Sequence, residues 1–505
     1  MSIDSLGGLQ AYAFGQANGK WLIVGGRLDG LHRRQPFASF DIAGNNNQLI
    51  VIDPIAKQRW VAPLSSLSVN LQEQLSSTNM EFEQEGNYLY IIGGYGYNAA
   101  TASRKTFNFL TAIDVPAVIS AVISGSNFVN HFRQISNANF AVTGGHLKKI
   151  NGTYYLLGGN QFDGNYNPMG NPTYVQVYTN AIRKFTLSDN GTTINVNFLT
   201  PSIDAVNLHR RDYNAVAQIL PNGAEGISMF SGVFQPTVDL PFLNSITVDS
   251  IGHYPVSGFQ QYYNHYHCAV LPIYSAAANN MHNFFFGGIS QYYDSAGTLV
   301  QDNNVPFVKT IARVTRDASG QMTEYKLPIE LPAYLGASAE FIPNPSISNY
   351  ANGVINYDAL VADTTLVGYI YGGISSSAKN VFFSNSATAS LAYSGILKVY
   401  VIKSANNSTN FDRINKESTS SLRLSVSPNP GSGKITIKFF LNKQSDVRLQ
   451  VFSESGQELY NEVYTGLPAT EHIIQTENLG EIGSGNFILQ VSTATETARL
   501  KIIRD

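Results

Sequence analysis

One strand-like pattern recurs six times along this 505-residue chain, and this repetition constrains the fold more than any other feature. Each copy is a short run of aromatic and β-branched residues that ends in two small residues, Gly-Gly in most copies and Ser-Gly in the fourth. The copies end at Gly26, Gly94, Gly159, Gly232, Gly288 and Gly373. Each run is apolar on both faces and bounded by turn formers, so it predicts a buried strand.

Two further strand-like segments flank each copy. The preceding segments contain small residues: 10–14, 80–84, 140–143, 214–219, 266–271 and 337–342. The following segments are amphipathic: 48–54, 109–114, 181–187, 245–249, 308–314 and 396–402. One such unit cannot bury both faces of its sheet, whereas six units packed around an axis can. The pattern therefore predicts an all-β repeat domain.

The first copy carries an additional signature, an Asp53-Pro54 turn with Trp60 six residues after the proline. With the repeated aromatic-aliphatic-Gly-Gly strands, these residues resemble the kelch family over about residues 8–404. The resemblance implies a six-bladed kelch-like β-propeller, which we place at residues 1–403. The tryptophan is absent from the other copies, so only the first shows the whole signature.

The pattern changes after a polar segment, residues 404–421, that is typical of a linker. Beyond it, apolar and polar residues alternate at 435–439 and 447–451, the period of strands with one wet face. Similar stretches follow at 471–475, 486–492 and 498–503. About seven short strands in this region predict a small Ig-like β-sandwich at residues 422–505.

This C-terminal region is similar to the type A sorting domains of type IX secretion. The matching pieces are Val426 to Pro430, Val451 to Gly456, Gly485 to Val491 and Lys501 to Ile503. Within them the motif residues are Pro428, Asn429, Pro430, Gly456, Gly485 and Lys501. The resemblance implies a Bacteroidetes-type bacterium, Sec export, translocation across the outer membrane by the type IX machinery, and a secreted or cell-surface protein. One departure is the lead-in to Gly485, which reads Ile-Gly-Ser instead of a small-hydrophobic-Pro-Ala sequence.

Composition and charge exclude several classes of partner. The formal charge of -3 and the lack of a long Lys/Arg run argue against nucleic acid. A single cysteine, Cys268, excludes an internal disulfide. The most apolar segment, Val115 to Ser124, contains Pro116 and is too short to span a membrane. The first residues lack a basic and an apolar region, so we expect that any signal peptide has been removed.

Candidate ligand-binding residues follow from antiparallel geometry. The N-terminal ends of the innermost strands and the C-terminal ends of the Gly-Gly strands lie on the same face. Residues near these ends are Arg27, Tyr95, Arg133, His209, Arg211, Tyr263, His265 and Tyr334. Cations, imidazoles and rings together suit an uncharged or anionic sugar. The competing interpretation is that Arg and His tie neighbouring blades together. We therefore expect a recognition protein that binds a glycan or protein ligand and needs no cofactor or metal.

Enzymatic alternatives remain open at this point. His265 and His267 flank a tyrosine and stand next to Cys268, which resembles the ligand set of the kelch-like copper radical oxidases. Alternation along a strand would turn Cys268 away from both histidines. Arg133 and Arg211 also leave a resemblance to the six-bladed sialic-acid mutarotases. A secreted enzyme acting on sugars is thus the rival hypothesis, because a fold of this kind does not decide function.

Overall fold

The computed structural model divides the chain into two compact units, Met1–Ile414 and Asn415–Asp505. Both are built from antiparallel sheets, so the all-β prediction is confirmed. The structure describes all residues except 2, 4–5, 36, 169–172, 296, 383–387, 404–411, 414–421, 430–433, 454–456, 477–482, 484, 495 and 505. None of the described helices is long and apolar enough to cross a membrane.

The first half of the N-terminal unit contains three main sheets. Sheet 1 consists of β1 (Ala13–Ala17), β2 (Lys20–Val24), β3 (Gln48–Asp53) and β4 (Gln58–Pro63). Sheet 2 has the order β10-β9-β6-β5, with a β7-β8 hairpin beside it: β5 (Glu81–Glu85), β6 (Tyr88–Ile92), β7 (Tyr95–Asn98), β8 (Ser103–Thr106), β9 (Phe109–Asp114) and β10 (Phe132–Ser136). Sheet 3 has the order β11-β12-β15-β16, with a β13-β14 hairpin: β11 (His146–Ile150), β12 (Thr153–Leu157), β13 (Asn160–Gly164), β14 (Tyr174–Tyr178), β15 (Ala181–Asp189) and β16 (Ile194–Ile203).

Three more sheets follow in the same unit. Sheet 4 consists of β17 (Asn214–Ile219), β18 (Glu225–Phe230), β19 (Ser245–Val248) and β20 (His253–Pro255). Sheet 5 is built on β21-β22-β25-β26, with a β23-β24 hairpin: β21 (Ala269–Ser275), β22 (Asn280–Phe286), β23 (Tyr292–Ser295), β24 (Thr298–Gln301), β25 (Thr310–Arg316) and β26 (Met322–Glu330). Sheet 6 pairs β27 and β31 with β29, and the short β28 and β32 join sheet 5: β27 (Tyr334–Pro343), β28 (Ile355–Asn356), β29 (Thr364–Ser376), β30 (Ser390–Ala392), β31 (Ile396–Ile402) and β32 (Asp412–Arg413).

Helices are few and short. The α-helices of the described residues are α1 (Val69–Leu75) and α2 (Val115–Ser124). The 3₁₀ helices are Ile42–Gly44, Leu64–Ser66, Val129–His131, Ala138–Phe140 and Tyr357–Ala359. Helix α2 begins after Asp114, whose side chain accepts a hydrogen bond from the Ala117 amide, and it has proline in its first turn. Its apolar face, including Val118 and Val122, packs between sheets 1 and 2.

The core of the N-terminal unit consists of apolar clusters between consecutive sheets. One cluster joins Leu22 of sheet 1 to Leu89 of sheet 2, and another joins Tyr90 of sheet 2 to Tyr154 of sheet 3. The same holds between later sheets, and a further cluster packs sheet 6 against sheet 1. In it Trp21 contacts Tyr369 with ring centroids 5.2 Å apart. Each sheet thus buries both faces against its two neighbours.

Six residues with positive φ mark the start of the innermost strands. They are Ala11 (52°), Asn79 (52°), Gly144 (69°), Asp212 (48°), His267 (33°) and Ser338 (58°). Backbone hydrogen bonds connect five of the six successive pairs, all except Asp212 and His267. The donor–acceptor distances are 3.2 Å for Asn79 to Ala11, 3.2 Å for Gly144 to Asn79, 2.8 Å for Asp212 to Gly144, 2.6 Å for Ser338 to His267 and 2.9 Å for Ala11 to Ser338. We call these residues the axial ring.

Most of the predicted strands are present, but two segments differ from the sequence-based interpretation. The innermost strand of sheet 3 is β11, not residues 140–143, because Ala138–Phe140 forms a 3₁₀ helix with Phe140 fully buried. Within the predicted linker, Asp412–Arg413 pairs with β26 of sheet 5. The rest of residues 404–421 lies outside the described residues.

The C-terminal unit contains two sheets over its described residues. Their orders are β33-β34-β37 and β36-β35-β38-β39: β33 (Ser425–Ser427), β34 (Ile435–Phe440), β35 (Ser445–Ser453), β36 (Glu458–Leu467), β37 (Glu471–Thr476), β38 (Gly485–Ser492) and β39 (Thr497–Arg504). The alternating residues predicted to face a core are buried, among them Ile437, Leu449 and Val451. The Asn429 side chain accepts a hydrogen bond of 2.8 Å from the Ile503 amide. Pro430 and Gly456 lie outside the described residues.

Candidate functional site

Two cavities lie on either side of the axial ring. The larger has a volume of about 360 Å³ and is lined by loops and hairpins that follow the Gly-Gly pairs; we call it the loop-side cavity. The smaller, of about 300 Å³, is lined mainly by the innermost strands; we call it the strand-side cavity. Asn79, Gly144 and His267 of the axial ring line both cavities. The ring therefore forms the boundary between them.

The residue directly after each small-residue pair lines the loop-side cavity. These residues are Arg27, Tyr95, Asn160, Val233, Ile289 and Ile374. The backbone explains this regularity. Gly25 and Gly26 have φ of 65° and 85°, and a Cβ on Gly26 would lie 2.5 Å from the Gln10 carbonyl oxygen. The second position of the pair therefore requires glycine, whereas Ser231 occupies the first position in the fourth copy. The turn directs the next residue into the cavity.

Aromatic rings from sheets 1 to 3 form one wall of the loop-side cavity. The His32 ring lies 4.9 Å from Phe40 and 4.5 Å from Tyr166, and Tyr95 lies 5.2 Å from Phe40 and 5.3 Å from Phe162. Burial lowers the pKa of His32 to about 4, so this imidazole is neutral near pH 7. The Tyr95 hydroxyl donates to the Gly164 carbonyl oxygen over 2.6 Å. The rings hold one another in place and present an apolar surface.

Arg27 lines the cavity, but protein groups occupy its guanidinium. Nε and Nη2 donate to the two Asp29 carboxylate oxygens over 2.7 and 2.5 Å, and Nη1 donates to Asn45 over 2.7 Å. Nη2 also donates to the Asp41 carbonyl oxygen. Only 2% of the residue is exposed. Arg27 therefore fastens the loop of sheet 1 that carries the wall of rings.

Arg211 lines the cavity with part of its guanidinium not bonded to protein groups of the described residues. Its Nε donates to the Tyr178 hydroxyl over 3.1 Å, Nη1 pairs with the Asp212 carboxylate, and 21% of the side chain is exposed. Burial alone would lower the pKa of Arg211, but Asp212 raises it above its ordinary value. Nη2 makes no hydrogen bond within the described residues. The Arg211–Asp212 pair thus offers adjacent donors and acceptors to a ligand.

A group of titratable side chains surrounds His267 of the axial ring. Its Nε2 lies 3.8 Å from Glu340 Oε1, and its ring lies 5.8 Å from that of His146. Burial alone would lower the pKa of His267, but Glu340 and Asp212 raise it above its ordinary value. Burial lowers the pKa of His146 to about 3. At neutral pH these two imidazoles therefore differ in their tendency to carry a charge.

Two of the predicted site residues lie outside the lining of the loop-side cavity and contact residues of a neighbouring sheet or hairpin. Arg133 is in β10, at the opposite edge of sheet 2 from the innermost strand, and its Nη2 pairs with Asp189 of sheet 3 over 2.5 Å. The expectation that Arg133 lies just before an innermost strand is wrong, because Arg133 is part of β10, the outermost strand of sheet 2. His209 stacks on Tyr178 with a centroid distance of 3.7 Å and does not itself line the cavity.

Three other predicted site residues also lie outside the cavity lining. Tyr263 and His265 are buried, at 2% and 0% exposure. The His265 ring stacks on Phe285, and Nδ1 lies 2.7 Å from the Gly287 carbonyl oxygen. Tyr334 begins β27, and its ring lies 5.1 Å from the Lys309 ammonium. Of the eight predicted residues, the structure thus brings Arg27, Tyr95 and Arg211 together around the cavity.

The geometry around Cys268 differs from that expected for a copper site. Cys268 is buried in an apolar cluster with Phe230 and Phe285, while His265 contacts the backbone and His267 faces the cavity. Both histidines have positive φ, so they do not share one face of a regular strand. Among the described residues, no group of three His, Cys, Asp or Glu side chains is arranged to hold a metal ion.

Several residues of the cavity were not predicted from the sequence. Asp212, Tyr178, Tyr266 and Gln176 lie in or against it, and Gln176 donates to Asn160 over 3.0 Å. Asp212 could have been found, because it follows Arg211 directly and occupies the position before an innermost strand. Gln176 could not, because it lies in the β13-β14 hairpin, which has no counterpart in the repeated pattern.

Comparisons with known proteins bear on the C-terminal unit. Residues 425–505 match the family model described as a secretion system C-terminal sorting domain. No curated protein matches the chain. A solved structure described as "Structure of YjhT" is similar at 12% identity and a TM-score of 0.44, covering 82% of this chain and 99% of that chain. An arabinoxylan arabinofuranohydrolase of glycoside hydrolase family 43 from Bacillus subtilis is similar at 10% identity and a TM-score of 0.26, covering 98% and 92%.

At these scores the structural likeness establishes neither fold nor activity. The family match is different, because it falls on the residues that resembled a sorting domain in the sequence. The Asn429 and Gly485 motif residues lie within it. A secretion-system C-terminal sorting domain therefore occupies residues 425–505, and it indicates a protein that the type IX machinery exports to the cell surface or the surroundings.

Proposed function

We propose that the N-terminal unit is a six-bladed kelch-like β-propeller and that the C-terminal unit is an Ig-like sandwich. Six sheets in contact with their neighbours, with sheet 6 packed on sheet 1, support the propeller. The axial ring supports it as well, since one residue of each innermost strand takes part. The two sheets of the C-terminal unit and their shared core support the sandwich. Residues 404–421 would link the two.

The function we propose for the propeller is recognition of a glycan in the loop-side cavity. One observation carries this proposal: a wall of packed aromatic rings and the Arg211–Asp212 pair line the same cavity. Rings pack against the apolar faces of sugars. A carboxylate accepts hydrogen bonds from hydroxyl groups while a guanidinium donates to them, so the pair matches neighbouring hydroxyls. The pair is also close to neutral as a unit, which suits a ligand without strong charge.

The shape of the site favours a glycan over a folded protein. A concave cavity of about 360 Å³ falls in the range of small-molecule sites. Protein–protein interfaces bury much larger and flatter areas. One or two sugar residues at the end of a chain can enter the cavity, whereas the surface of a globular partner would contact only its rim.

The proposed location is the outer cell surface or the surroundings of a Bacteroidetes-type bacterium. The route would be Sec export to the periplasm, followed by outer-membrane translocation that depends on the C-terminal unit. The sorting-domain match at residues 425–505 supports this route. A receptor in that location would meet extracellular glycans.

A binding screen tests the glycan proposal. The purified full chain is applied to a glycan array, and each hit is measured by titration calorimetry at several pH values. We expect saturable binding to a small set of glycans that share a terminal residue. Recovery of the ligand chemically unchanged would support recognition, whereas conversion would favour the rival enzyme hypothesis. Absence of any glycan binding would contradict the proposal.

A deletion tests the proposed route. Cells produce either the full chain with its native leader or the same chain without residues 422–505. We expect the full chain at the surface, where added protease reaches it, and the shortened chain in the periplasm. Limited proteolysis of the periplasmic fraction shows whether the shortened chain is folded. Surface exposure of the shortened, folded chain would contradict the role of the sorting domain.

A further inference from the structure

The loop-side cavity has an apolar half that the wall of rings does not account for. It comes from sheets 5, 6 and 1 and consists of Leu31, Ile289, Phe307, Ala337, Ile374 and Val381. These side chains belong to one hydrophobic cluster. Phe307, Ile374 and Val381 are 3 to 6% exposed, so they are packed and held in position. We call this cluster the apolar half.

Two polar side chains that border the apolar half contact other protein groups. Asn303 Oδ1 accepts hydrogen bonds from Gln291 and Gln301 over 2.8 and 2.9 Å. The Lys379 ammonium lies 4.0 Å from the centre of the Tyr293 ring. The Arg211–Asp212 pair, which has hydrogen-bonding groups open to the cavity, lies on the side of sheets 3 and 4. The cavity is therefore divided into a polar half and an apolar half.

This division limits what can fill the whole cavity. A bare sugar carries hydroxyl groups around its ring, and hydroxyls placed against Ile374 and Phe307 would lose their hydrogen bonds to water without replacement. An alkyl or aryl group in the same place gains free energy by leaving water. A ligand that matches both halves has a sugar at one end and an apolar group at the other.

We infer that the natural ligand is a sugar residue that carries an alkyl or aryl substituent, with the sugar at Arg211 and Asp212 and the substituent in the apolar half. This inference rests on the proposed function, because it assigns a class of ligand to the same site. It makes the cavity selective for substituted sugars over the same sugars without the substituent.

Matched pairs of glycosides test the inference. Methyl and phenyl glycosides of each sugar found by the glycan screen are titrated into the full chain. For at least one sugar we expect the phenyl glycoside to bind about tenfold more tightly than the methyl glycoside, as expected for burial of the added ring. Equal affinities for every pair would overturn the inference while leaving the glycan proposal intact. Failure of all glycosides and glycans to bind would overturn both.

Two variants at one position identify where the substituent binds. Ile374→Thr and Ile374→Val remove the same amount of side chain and keep a β-branched residue in β29, but only the threonine adds a hydroxyl. We expect Ile374→Thr to reduce the phenyl-to-methyl affinity ratio at least threefold more than Ile374→Val does. Thermal unfolding of both variants shows whether either has lost its structure. If both folded variants keep the parent ratio, the substituent does not contact the apolar half and the inference is wrong.

Discussion

Arg210 and Arg211 are neighbours in the chain, yet they belong to different regions of the N-terminal unit. Arg210 is fully buried in the segment before β17, where its guanidinium donates to the Asn207, Ser231 and Asn244 carbonyl oxygens and to the Asn244 side chain. Burial lowers its pKa to about 9. Arg211 lies in the cavity wall with 21% of its side chain exposed, paired with Asp212 and Tyr178. The same residue type therefore lies in two different environments one position apart.

The difference between these regions lies in how completely the hydrogen bonds of each group are used. A guanidinium has five N–H groups in a fixed arrangement, and a buried one is stabilising only when protein acceptors satisfy them. Arg210 and Arg27 each make four hydrogen bonds to protein acceptors, so both stabilise the surrounding loops. Arg211 leaves Nη2 without a hydrogen bond to the described residues while facing a cavity. The proposed ligand-binding role of Arg211 rests on this unused hydrogen-bonding capacity beside open space.

The largest effect on stability is expected when the buried Arg210 is replaced. Arg210→Ala leaves the Ser231 and Asn207 carbonyl oxygens and the Asn244 side chain without their donor, and we expect a loss of about 3 to 5 kcal/mol in the free energy of unfolding. Urea unfolding followed by tryptophan fluorescence measures it, because both tryptophans, Trp21 and Trp60, lie in sheet 1. Arg33→Ala, at an exposed arginine, is the control. A loss below about 1 kcal/mol would show that the hydrogen bonds of the Arg210 guanidinium contribute little to stability.

The carboxyl group of Glu81 sharpens the comparison. One of its oxygens has no hydrogen-bond partner among the described residues, although Glu81 does not line the loop-side cavity. Glu81 is 1% exposed; its Oε1 accepts from the Gly145 amide over 2.8 Å, and Oε2 has no hydrogen-bond partner. Burial raises its pKa to about 8. Between about pH 4.5 and 8 the folded protein keeps a proton that the unfolded chain has released, so stability falls as pH rises.

The expected size of this effect is about 4 kcal/mol between pH 5 and pH 9. Glu81→Gln keeps an acceptor for the Gly145 amide and should remove that part of the pH dependence. The stability of the variant relative to the parent should therefore increase as pH rises. Urea unfolding at a series of pH values measures it. The control is Glu83→Gln. Glu83 lies in the same strand as Glu81, and its carboxylate pairs with Lys148 of β11. Identical pH profiles for Glu81→Gln and the parent would show that Glu81 is charged in the fold.

In the cavity wall, the effect should appear in binding. Arg211→Ala should weaken binding of the glycan found by the screen by about 1.5 to 3 kcal/mol, the range of hydrogen bonds to charged groups. The melting temperature should stay within a few degrees of the parent value. Lys398→Ala removes the same charge from an exposed position in β31 and is the control. Calorimetry and thermal unfolding measure the two quantities. A large loss of stability, with no effect on binding beyond that loss, would place Arg211 with Arg210 as a structural residue.

The smallest effect is expected from the group that orients Arg211. Tyr178→Phe removes the hydroxyl that accepts from Arg211 Nε over 3.1 Å and from the Phe234 amide over 3.3 Å. The ring and its stacking on His209 remain. We expect a loss of about 1 kcal/mol in glycan binding, within the range of a neutral hydrogen bond. In the Arg211→Ala background the same substitution should have less effect, and full additivity would show that Tyr178 acts independently of Arg211.

Much of the architecture could be predicted because it repeats. Six strands ending in small residues predicted six sheets, and antiparallel geometry predicted that residues after the Gly-Gly pairs share one face. Arg27 and Tyr95, named from the sequence, do lie there, as do their unnamed equivalents such as Ile374. The alternation at residues 435–439 predicted the buried positions of the C-terminal unit. Local periodicity carries such information because neighbouring residues in a strand must point to opposite faces.

The strand boundaries next to the axis were harder to predict. The segment before the third Gly-Gly strand contains a 3₁₀ helix and a left-handed Gly144 before β11 begins, so counting residues misplaces Arg133 relative to the axis. Arg133 lies instead in the outermost strand of the preceding sheet. An error of this kind arises wherever a loop between repeats has its own structure.

The sequence by itself determined the repeat, the position of the Gly-Gly ends and the sorting-domain motif, because each depends on residues close together in the chain. Only the tertiary structure decided which candidate side chains are free to act. Arg27 and Arg211 follow from the same reasoning, yet Asp29, Asn45 and the Asp41 carbonyl occupy one guanidinium while the other keeps a group open to the cavity. The physical reason is that hydrogen-bonding capacity is shared among groups from different loops, and their arrangement is fixed only when the sheets pack.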